Sequence, residues 1–323
     1  MTTMNYRKAI AEAIARALRR DDRVVFLGED VGAAGGAFKS TVGLMEEFGP
    51  DRIWDTPISE QAIVGAAIGA AIRGLRPIAE IMFADFLGTC WDGIVNHAAK
   101  LRYMSNGQLT VPIVIRAHGG AGLGFGAQHS QLFDNVAMTV PGLKVVMPAS
   151  PRELIGLFQA SIDDPDPVIF IEHKGLFDIK EEVEDAEFSL ELGRARTVRA
   201  GKDLTIVALG AMVRVAVTSA DDLASRGYDA EVIDLRTLYP LDMASVLASV
   251  ERTSRLVILE EGSGVCGWGS EVAARVADEG FWSLDAPIRR VTSPPVPTPF
   301  ASNLEARWLP TPERVVAEVL SYY

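Results

Sequence analysis

Short apolar runs alternate with segments of helical spacing along almost the whole chain, and this alternation limits the possible folds most strongly. Each run is followed by glycine or polar residues, which is typical of buried parallel strands. The predicted strands are residues 24–28, 78–82, 111–116, 143–147, 168–172, 204–209, 230–235, 255–260 and 287–292. Strands that alternate with helices form parallel sheets covered on both faces. The pattern therefore predicts an α/β protein.

The spacing of apolar residues between these runs predicts the helices, and charge predicts where the chain divides. The predicted helices include residues 61–73, 87–104, 151–162 and 270–278. A charged stretch at residues 180–187 interrupts the alternation, as is typical of a linker. We therefore predict two doubly wound α/β domains, at residues 1–178 and 203–323, joined by a linker over residues 179–202.

Charge and cysteine content exclude several classes of function. The 31 Lys and Arg residues against 43 Asp and Glu residues give a net charge of −12. Nucleic-acid binders and binders of anionic membranes need a basic surface instead. The longest apolar stretch, residues 62–72, is too short to span a bilayer. Because Cys90 and Cys266 cannot build a disulfide framework, we expect a reducing compartment, the cytoplasm.

One glycine-rich segment fits a dinucleotide-binding pattern but is better explained as a turn. Residues 262–267 follow a predicted strand and precede the helix predicted over residues 270–278. However, Glu260 and Glu261 stand where a pyrophosphate would approach, and the next strand ends in Ser293 rather than in a ribose-binding carboxylate. We therefore favour a tight turn that lets the strand and the helix pack closely.

Polar residues at three predicted segment ends are candidates for a site. Glu29 follows the first long strand, at the sheet edge where ligands bind in open α/β folds. Glu60 lies at the start of the helix over residues 61–73, where the helix dipole favours a carboxylate. A capping box, with Thr56 or Ser59 as the cap, explains Glu60 equally well. His129 follows a glycine-rich loop, which suits the mouth of a pocket, although an isolated histidine is more often structural.

Seven ordered motifs resemble one family over nearly the whole chain. They are GEDV at 28–31, RIWDTPISE at 52–60, GLRPIAEIMFADF at 74–86, GAQHSQ at 126–131, PGLKVVMPASP at 141–151, IDLRTLYPLD at 233–242 and LEEG at 259–262. The family is that of beta subunits of the thiamine diphosphate-dependent decarboxylating component of 2-oxo acid dehydrogenase complexes. MFADFLGTCWD at 82–92 and VIFIEHK at 168–174 look closest to acetoin dehydrogenase, with pyruvate dehydrogenase next.

The resemblance implies a fold and a cofactor site. The domains would be a transketolase-like pyrimidine-binding domain and a transketolase C-terminal-like domain. Thiamine diphosphate acts as an electron sink for the carbanion left after cleavage. Glu60 matches the catalytic carboxylic acid that shares a proton with the pyrimidine ring, and Glu29 matches a supporting carboxylate. Phe86 matches the aromatic residue that stacks on the aminopyrimidine, and Ile58 and Met82 match further cofactor contacts.

The resemblance also implies partners. His129 matches a histidine implicated in proton transfer and in receiving the lipoyl arm of an acyltransferase core. The chain has no GDG segment, which in the family anchors the diphosphate through magnesium, so an alpha subunit would supply those ligands. The resemblance further implies a heterotetramer of two alpha and two beta chains. The enzyme would act on a 2-oxo acid or acetoin only in that assembly. Gly65 and Gly69 would suit a close interface between subunits, and burial inside one domain explains them equally well.

A structural potassium ion is a further implication of the resemblance. Its ligands match Ile113, Ser161, Ile162 and Asp164, mostly through backbone oxygens, and Asp166, where the family usually has asparagine. The alternative for the acidic residues is a solvated turn around Pro165 and Pro167. Two other functions also remain open, namely the C-terminal half of a split transketolase and a catalytically silent docking subunit.

Overall fold

The computed structural model describes all 323 residues and divides the chain into two compact units. The first consists of Met1–Gly119 and Leu132–Leu192, and the second of Gly120–Gln131 and Gly193–Tyr323. Each unit has a largely parallel sheet with helices, so the predicted α/β fold class is confirmed. The glycine-rich segment Gly120–Gln131 belongs to the second unit, although it lies within the sequence of the first.

The first unit contains six parallel strands in the order β6-β7-β5-β4-β2-β3, and a separate antiparallel pair, β1-β8. The strands are β1 Thr2–Asn5, β2 Val24–Gly28, β3 Ile53–Asp55, β4 Arg76–Phe83, β5 Val114–Gly119, β6 Lys144–Val146, β7 Val168–His173 and β8 Lys180–Val183. The helices are α1 Tyr6–Arg20, α2 Leu44–Phe48, α3 Glu60–Ile72, α4 Leu101–Met104, α5 Asp134–Met138 and α6 Pro151–Asp163. Short 3₁₀ segments at Ala84–Cys90 and Lys174–Leu176 and a π-helix at Gly93–Ala98 complete this unit.

Local signals explain where the helices of this unit begin. Asn5 caps α1 by accepting a hydrogen bond from Lys8 N over 2.9 Å. At α6 the cap is Ser150, and Pro151 occupies the first turn, where its missing N–H is not needed. The apolar faces of α1 and α6 are buried and pack against each other. Helix α6 therefore lies where the apolar spacing of residues 151–162 predicts a helix.

The continuous helix predicted over residues 87–104 is wrong. The chain there forms the 3₁₀ segment, the π-helix and the short α4 in succession. Gly88 and Gly93 interrupt the stretch, and glycine is a poor helix former. A Cβ atom at Gly93 would lie 3.3 Å from Val64 Cγ1 of α3, so close packing requires a small residue there.

The charged stretch predicted as part of a linker contains regular structure. Lys180–Val183 is strand β8, which pairs with β1 from Thr2↔Val183 to Asn5↔Lys180. Arg16 of α1 then donates hydrogen bonds to Glu184 O over 2.9 Å and to Ala186 O over 3.1 Å. Charged residues are tolerated because most of β8 faces solvent.

The second unit is built on a five-stranded sheet in the order β14-β13-β10-β11-β9, in which only β9 is antiparallel to its neighbour. The strands are β9 Arg196–Arg199, β10 Leu204–Ala208, β11 Ala230–Asp234, β12 Thr237–Tyr239, β13 Leu256–Ser263 and β14 Arg289–Ser293. The helices are α7 Met212–Ser225, α8 Met243–Thr253, α9 Trp268–Glu279, α10 Ser302–Trp308 and α11 Pro312–Tyr322, with a 3₁₀ turn at Phe281–Ser283. None of the helices in the chain has the length and apolarity needed to cross a membrane.

The turn between β13 and α9 is the tight strand–helix connection that we favoured over a dinucleotide site. The carboxylate of Glu260 accepts a hydrogen bond from Gly269 N over 3.2 Å, at the start of α9. A Cβ atom at Gly267 would lie only 2.1 Å from Glu260 Oε1. The glycines therefore allow a protein carboxylate to lie where a phosphate would bind.

Candidate active site

The loop that carries Glu60 is held at the carboxyl ends of β2 and β3. The carboxylate of Asp55 accepts hydrogen bonds from Gly32 N over 2.6 Å and from Ala33 N over 3.1 Å. The backbone of Thr56 donates to Gly28 O over 2.9 Å. These bonds join the turn after β2 to the turn after β3, and they bring the chain to Glu60 at the first position of α3.

The capping-box interpretation of Glu60 does not match the structure. Ser59 occupies the cap position of α3, but its side chain makes no capping hydrogen bond. The hydroxyl of Thr56 is buried without a hydrogen-bond partner. Glu60 is the acidic residue of the first turn and is only partly buried. The helix dipole therefore stabilises the negative charge of Glu60, and the carboxylate stays available for a ligand.

Carboxylates surround this position. Burial raises the pKa of Glu29, and the negative charges of Asp30, Glu60 and Glu80 raise that pKa further. Such a group of like charges favours retention of a proton, or a ligand that donates hydrogen bonds to it. A carboxylate with a raised pKa at the carboxyl edge of a parallel sheet, as at Glu29, is typical of a functional site.

Cys90 lies in the same region but is not a nucleophile. Burial raises the pKa of its thiol to about 12, and the charge of Glu60 adds to that effect. The Sγ atom lies 3.5 Å from Leu87 O. Because the thiolate is the reactive form of cysteine, Cys90 is inert at neutral pH.

The two neighbouring phenylalanines have different environments. Phe83 is buried and meets Phe38 edge-on, with ring centroids 5.6 Å apart. Phe86 is only partly buried, on the 3₁₀ segment that packs against α3, and its ring lies 5.5 Å from that of Phe83. Phe83 is therefore part of the core, whereas Phe86 retains ring surface for a ligand. Met82 is also partly buried, and Ile58 is 75% exposed on the loop before α3.

A buried ionic cluster in the first unit was not found from the sequence. Arg116 donates from Nε to Glu172 Oε1 over 2.9 Å and from Nη1 to Glu80. His118 Nδ1 lies 3.1 Å from Glu172 Oε2. All four side chains are at most 1% exposed. The sequence did contain a signal for this cluster, since each of three apolar strand runs includes one charged residue: Glu80, Arg116 or Glu172. Charged residues are rarely buried unless they are paired.

Strand register brings this cluster together. Glu80 of β4 is opposite Arg116 of β5, and His118 is opposite Glu172 of β7. Gly28 of β2 is opposite Glu80, and a Cβ atom at Gly28 would lie 2.8 Å from Glu80 Cβ. The cluster therefore lies directly behind the strand end that carries Glu29, and the charge of Glu80 acts on that residue.

His129 lies in the second unit, on a loop anchored by two carboxylates. Glu305 accepts hydrogen bonds from Gly122 N over 2.8 Å and from Gly124 N over 2.9 Å. Glu261 accepts one from Ala121 N over 2.8 Å. The histidine itself is partly buried. Sequence reasoning found the glycine-rich loop but missed the two glutamates, which are more than 130 residues away along the chain.

The residues implied for a potassium site make other interactions. Ile113 O accepts a hydrogen bond from Val168 N over 2.9 Å, and Ile162 O accepts one from Arg76 Nη1 over 2.5 Å. The hydroxyl of Ser161 donates to Leu157 O over 2.8 Å. The expected carbonyl oxygens are thus already engaged with donors of the protein.

The acidic residues of this set have cationic partners. Lys144 Nζ lies 2.5 Å from both carboxylate oxygens of Asp164. Arg102 Nη1 lies 2.8 Å from both oxygens of Asp166. These side chains already supply positive charge at the carboxylates where the resemblance implies a potassium ion. The segment does turn at the prolines, because Asp166 N donates a hydrogen bond to Asp164 Oδ1 over 2.9 Å, and both carboxylates are ion-paired as well.

Helix α3 exposes a face of small residues. Gly65, Ala66 and Gly69 are exposed, and a Cβ atom at either glycine would meet nothing within 4 Å. Burial inside the domain therefore does not explain these glycines. A helix that is apolar over most of its surface yet exposed on one side is suited to an interface with another chain.

Comparison with known proteins agrees with the resemblance seen in the motifs. The profile of the transketolase pyrimidine-binding domain matches residues 2–180, and that of the transketolase C-terminal domain matches residues 193–315. The beta subunit of acetoin:2,6-dichlorophenolindophenol oxidoreductase from Bacillus subtilis (strain 168) is 46% identical, over 97% of this chain and 95% of its own length. The chain belongs to this family of transketolase-like dehydrogenase beta subunits.

Other members of the dehydrogenase beta-subunit family are similarly close. Pyruvate dehydrogenase E1 component subunit beta-1, mitochondrial, from Arabidopsis thaliana is 46% identical, over 97% of this chain and 87% of its own length. The 2-oxoisovalerate dehydrogenase subunit beta of B. subtilis (strain 168) is 42% identical, over 98% of both chains. A solved split-gene transketolase, described as an inactive beta4 tetramer, has a TM-score of 0.81 and 26% identity, with coverage of 98% and 97%. The split-transketolase alternative is therefore not better supported than the dehydrogenase assignment.

Proposed function

We propose that this beta subunit works in a thiamine diphosphate-dependent enzyme that cleaves acetoin or a 2-oxo acid and passes the acyl group to a lipoyl disulfide. The family relationship supports the oxidoreductase class, since the relatives are beta subunits of acetoin, pyruvate and 2-oxoisovalerate dehydrogenases. One observation carries the cofactor assignment. It is the placement of Glu60 at the start of α3, beside the carboxylate whose pKa is raised, Glu29.

The residues of the first unit fit the pyrimidine end of the cofactor. When bound, thiamine diphosphate supplies an electron sink for the carbon–carbon bond that breaks. Glu60 would hold a proton at the pyrimidine nitrogen. Glu29 would support Glu60, because the raised pKa of Glu29 favours its protonated form. Phe86 would stack on the ring and orient it. Met82 and Ile58 would cover the ring and exclude water.

His129 has a later role in this proposal. A neutral imidazole can donate or accept a proton near physiological pH. On a loop anchored to buried carboxylates, it would exchange a proton with the lipoyl sulfur as the disulfide opens. Replacement of His129 by alanine should therefore slow transfer to a lipoyl domain more than it slows reduction of an artificial dye.

An alpha subunit would complete the enzyme. No group of three or more His, Cys, Asp or Glu side chains in this chain could hold a metal ion. We propose that the alpha chain supplies the magnesium and diphosphate ligands, that two alpha and two beta chains assemble, and that a lipoyl acyltransferase core receives the product. The exposed Gly65–Gly69 face of α3 is suited to one of these interfaces.

Reconstitution tests this function. The chain is purified alone and with its alpha subunit, and titrated with thiamine diphosphate and magnesium by calorimetry. Tight binding, and dye reduction with acetoin, pyruvate or 2-oxoisovalerate, should appear only when both subunits are present. Micromolar cofactor binding by the beta chain alone would refute the shared site, and ketol transfer between sugar phosphates would favour the transketolase alternative.

A further inference from the structure

The loop Gly120–Gln131 is unusually well fixed for a segment so rich in glycine. Gly120, Gly122, Gly124 and Gly126 have positive φ angles of 90°, 103°, 70° and 72°. Side chains other than glycine rarely adopt this region, so the sequence permits this path at little steric cost. The alternating glycines turn the N–H groups of Gly122 and Gly124 toward the same acceptor.

That acceptor is the carboxylate of Glu305, on α10. Its two oxygens each take one N–H group, at 2.8 Å and 2.9 Å, and the residue is only 3% exposed. Hydrogen bonds to a charged acceptor are shorter and stronger than those between neutral groups, and two parallel bonds also fix orientation. Glu305 therefore restrains the position and the direction of the loop.

A second anchor and nearby apolar contacts complete the attachment. Glu261, near the end of β13 and 5% exposed, accepts a hydrogen bond from Ala121 N, and its own carbonyl accepts one from Ser293 Oγ. Gly126 lies beside Phe300, since a Cβ atom there would be 3.6 Å from Phe300 Cβ. The loop is thus held along one side by charged hydrogen bonds and apolar packing.

We propose that Glu305, assisted by Glu261, is a positioning residue that sets where His129 can act. This inference rests on the proposed role of His129 in transfer to the lipoyl group. Loss of the carboxylate would leave two loop N–H groups facing an amide, which can accept through only one atom. The loop would then sample other positions, and the lipoyl step, which needs the histidine, would slow more than cleavage of the substrate.

The test uses the assembled alpha–beta enzyme with Glu305→Gln, and Glu271→Gln as the matched control on an exposed site of α9. Because a hydrogen bond to a charged group is worth roughly a factor of ten or more in an equilibrium, we expect about tenfold slower acylation of a free lipoyl domain. The dye-linked rate should change much less. Amide hydrogen exchange over residues 120–131 should accelerate, and Glu271→Gln should change none of these quantities.

A double-mutant cycle separates positioning from a general loss of structure. If Glu305 acts through His129, Glu305→Gln should cause no further loss of lipoyl acylation in the His129→Ala background. Full additivity, or equal losses in the lipoyl and dye assays, would overturn the proposal. Should Glu305→Gln fail to fold, Glu261→Gln removes one bond and must show the same pattern at smaller size. A His129→Ala enzyme with normal lipoyl transfer would instead refute the proposed role of His129, while exchange rates would still report on the anchor.

Discussion

Arg116 and Glu172 form a hydrogen-bonded ion pair in the core of the first unit, with Nε and Oε1 2.9 Å apart. Both side chains are fully buried. Burial alone would raise the pKa of Glu172, but the charge of Arg116 and the close approach of His118 Nδ1 outweigh it and lower that pKa to about 2. Burial acts against the charge of Arg116 as well, and the two carboxylates beside it raise its pKa. The pair therefore stays ionised at neutral pH.

Acid should destabilise this cluster in a defined range of pH. The pKa of Glu172 is about 2 in the folded chain against 4.5 as its ordinary value. A depressed pKa contributes stability above the ordinary value, and that stability is lost as the pH falls from about 4.5 toward 2. We expect the melting temperature to fall across this range.

The variant Glu172→Gln isolates this contribution. It should be less stable than the wild type at pH 7, because Arg116 is left with one carboxylate partner in a buried site. Its melting temperature should also depend less on pH below 4.5, as measured by circular dichroism. Parallel pH profiles for the two proteins would show that Glu172 does not account for the acid sensitivity.

The exposed glycines of α3 should oppose chain stability and favour assembly. Glycine in a helix interior costs about 0.8–1 kcal/mol relative to alanine, and nothing lies within 4 Å of an added Cβ. Gly65→Ala with Gly69→Ala should therefore raise the melting temperature of the isolated chain. The same change should weaken its assembly with the alpha subunit, measured by sedimentation velocity.

A bulkier change sharpens this test. Gly65→Leu should block assembly more strongly than the alanine variant, whereas Ala224→Leu on the exposed surface of α7 should leave assembly unchanged. Normal assembly of the Gly65→Leu chain would place the interface elsewhere.

Potassium should not affect this chain specifically. Lys144 and Arg102 already pair with the acidic residues Asp164 and Asp166. The melting temperature should therefore be equal in potassium and sodium buffers of the same ionic strength. Lys144→Met should lower it in both buffers, because it leaves the largely buried Asp164 without its cation. A higher melting temperature of the wild type in potassium than in sodium would contradict this prediction and support the cation site implied by the family resemblance.

The pattern of apolar residues was sufficient to predict most of the fold. The strand at residues 24–28 was predicted to the residue, because its buried run ends at Gly28. The stretch from 87 to 104 was not predicted, since its apolar spacing is helical and only the packing of Gly93 against Val64 shows the break. The strand in the charged segment was missed because its pairing partner, β1, lies at the other end of the first unit's sequence.

The candidate site was only partly accessible to sequence reasoning. Glu29 and Glu60 could be found because each follows a recognisable strand or begins a helix. The Glu80–Arg116 pair could not, because the two charges lie 36 residues apart and only strand register brings them together. The same applies to Glu305, which binds loop residues more than 180 positions away.

The turnover of Glu60→Gln in the assembled enzyme tests the central claim most directly. Glutamine keeps a hydrogen-bonding group but cannot hold the proton, and general acid–base help is worth about a hundredfold or more. We predict at least that loss in dye-linked turnover at saturating thiamine diphosphate, with cofactor binding and melting temperature retained. Near-normal turnover of this variant would contradict the account, because Glu60 would then only stabilise the first turn of α3 and take no part in catalysis.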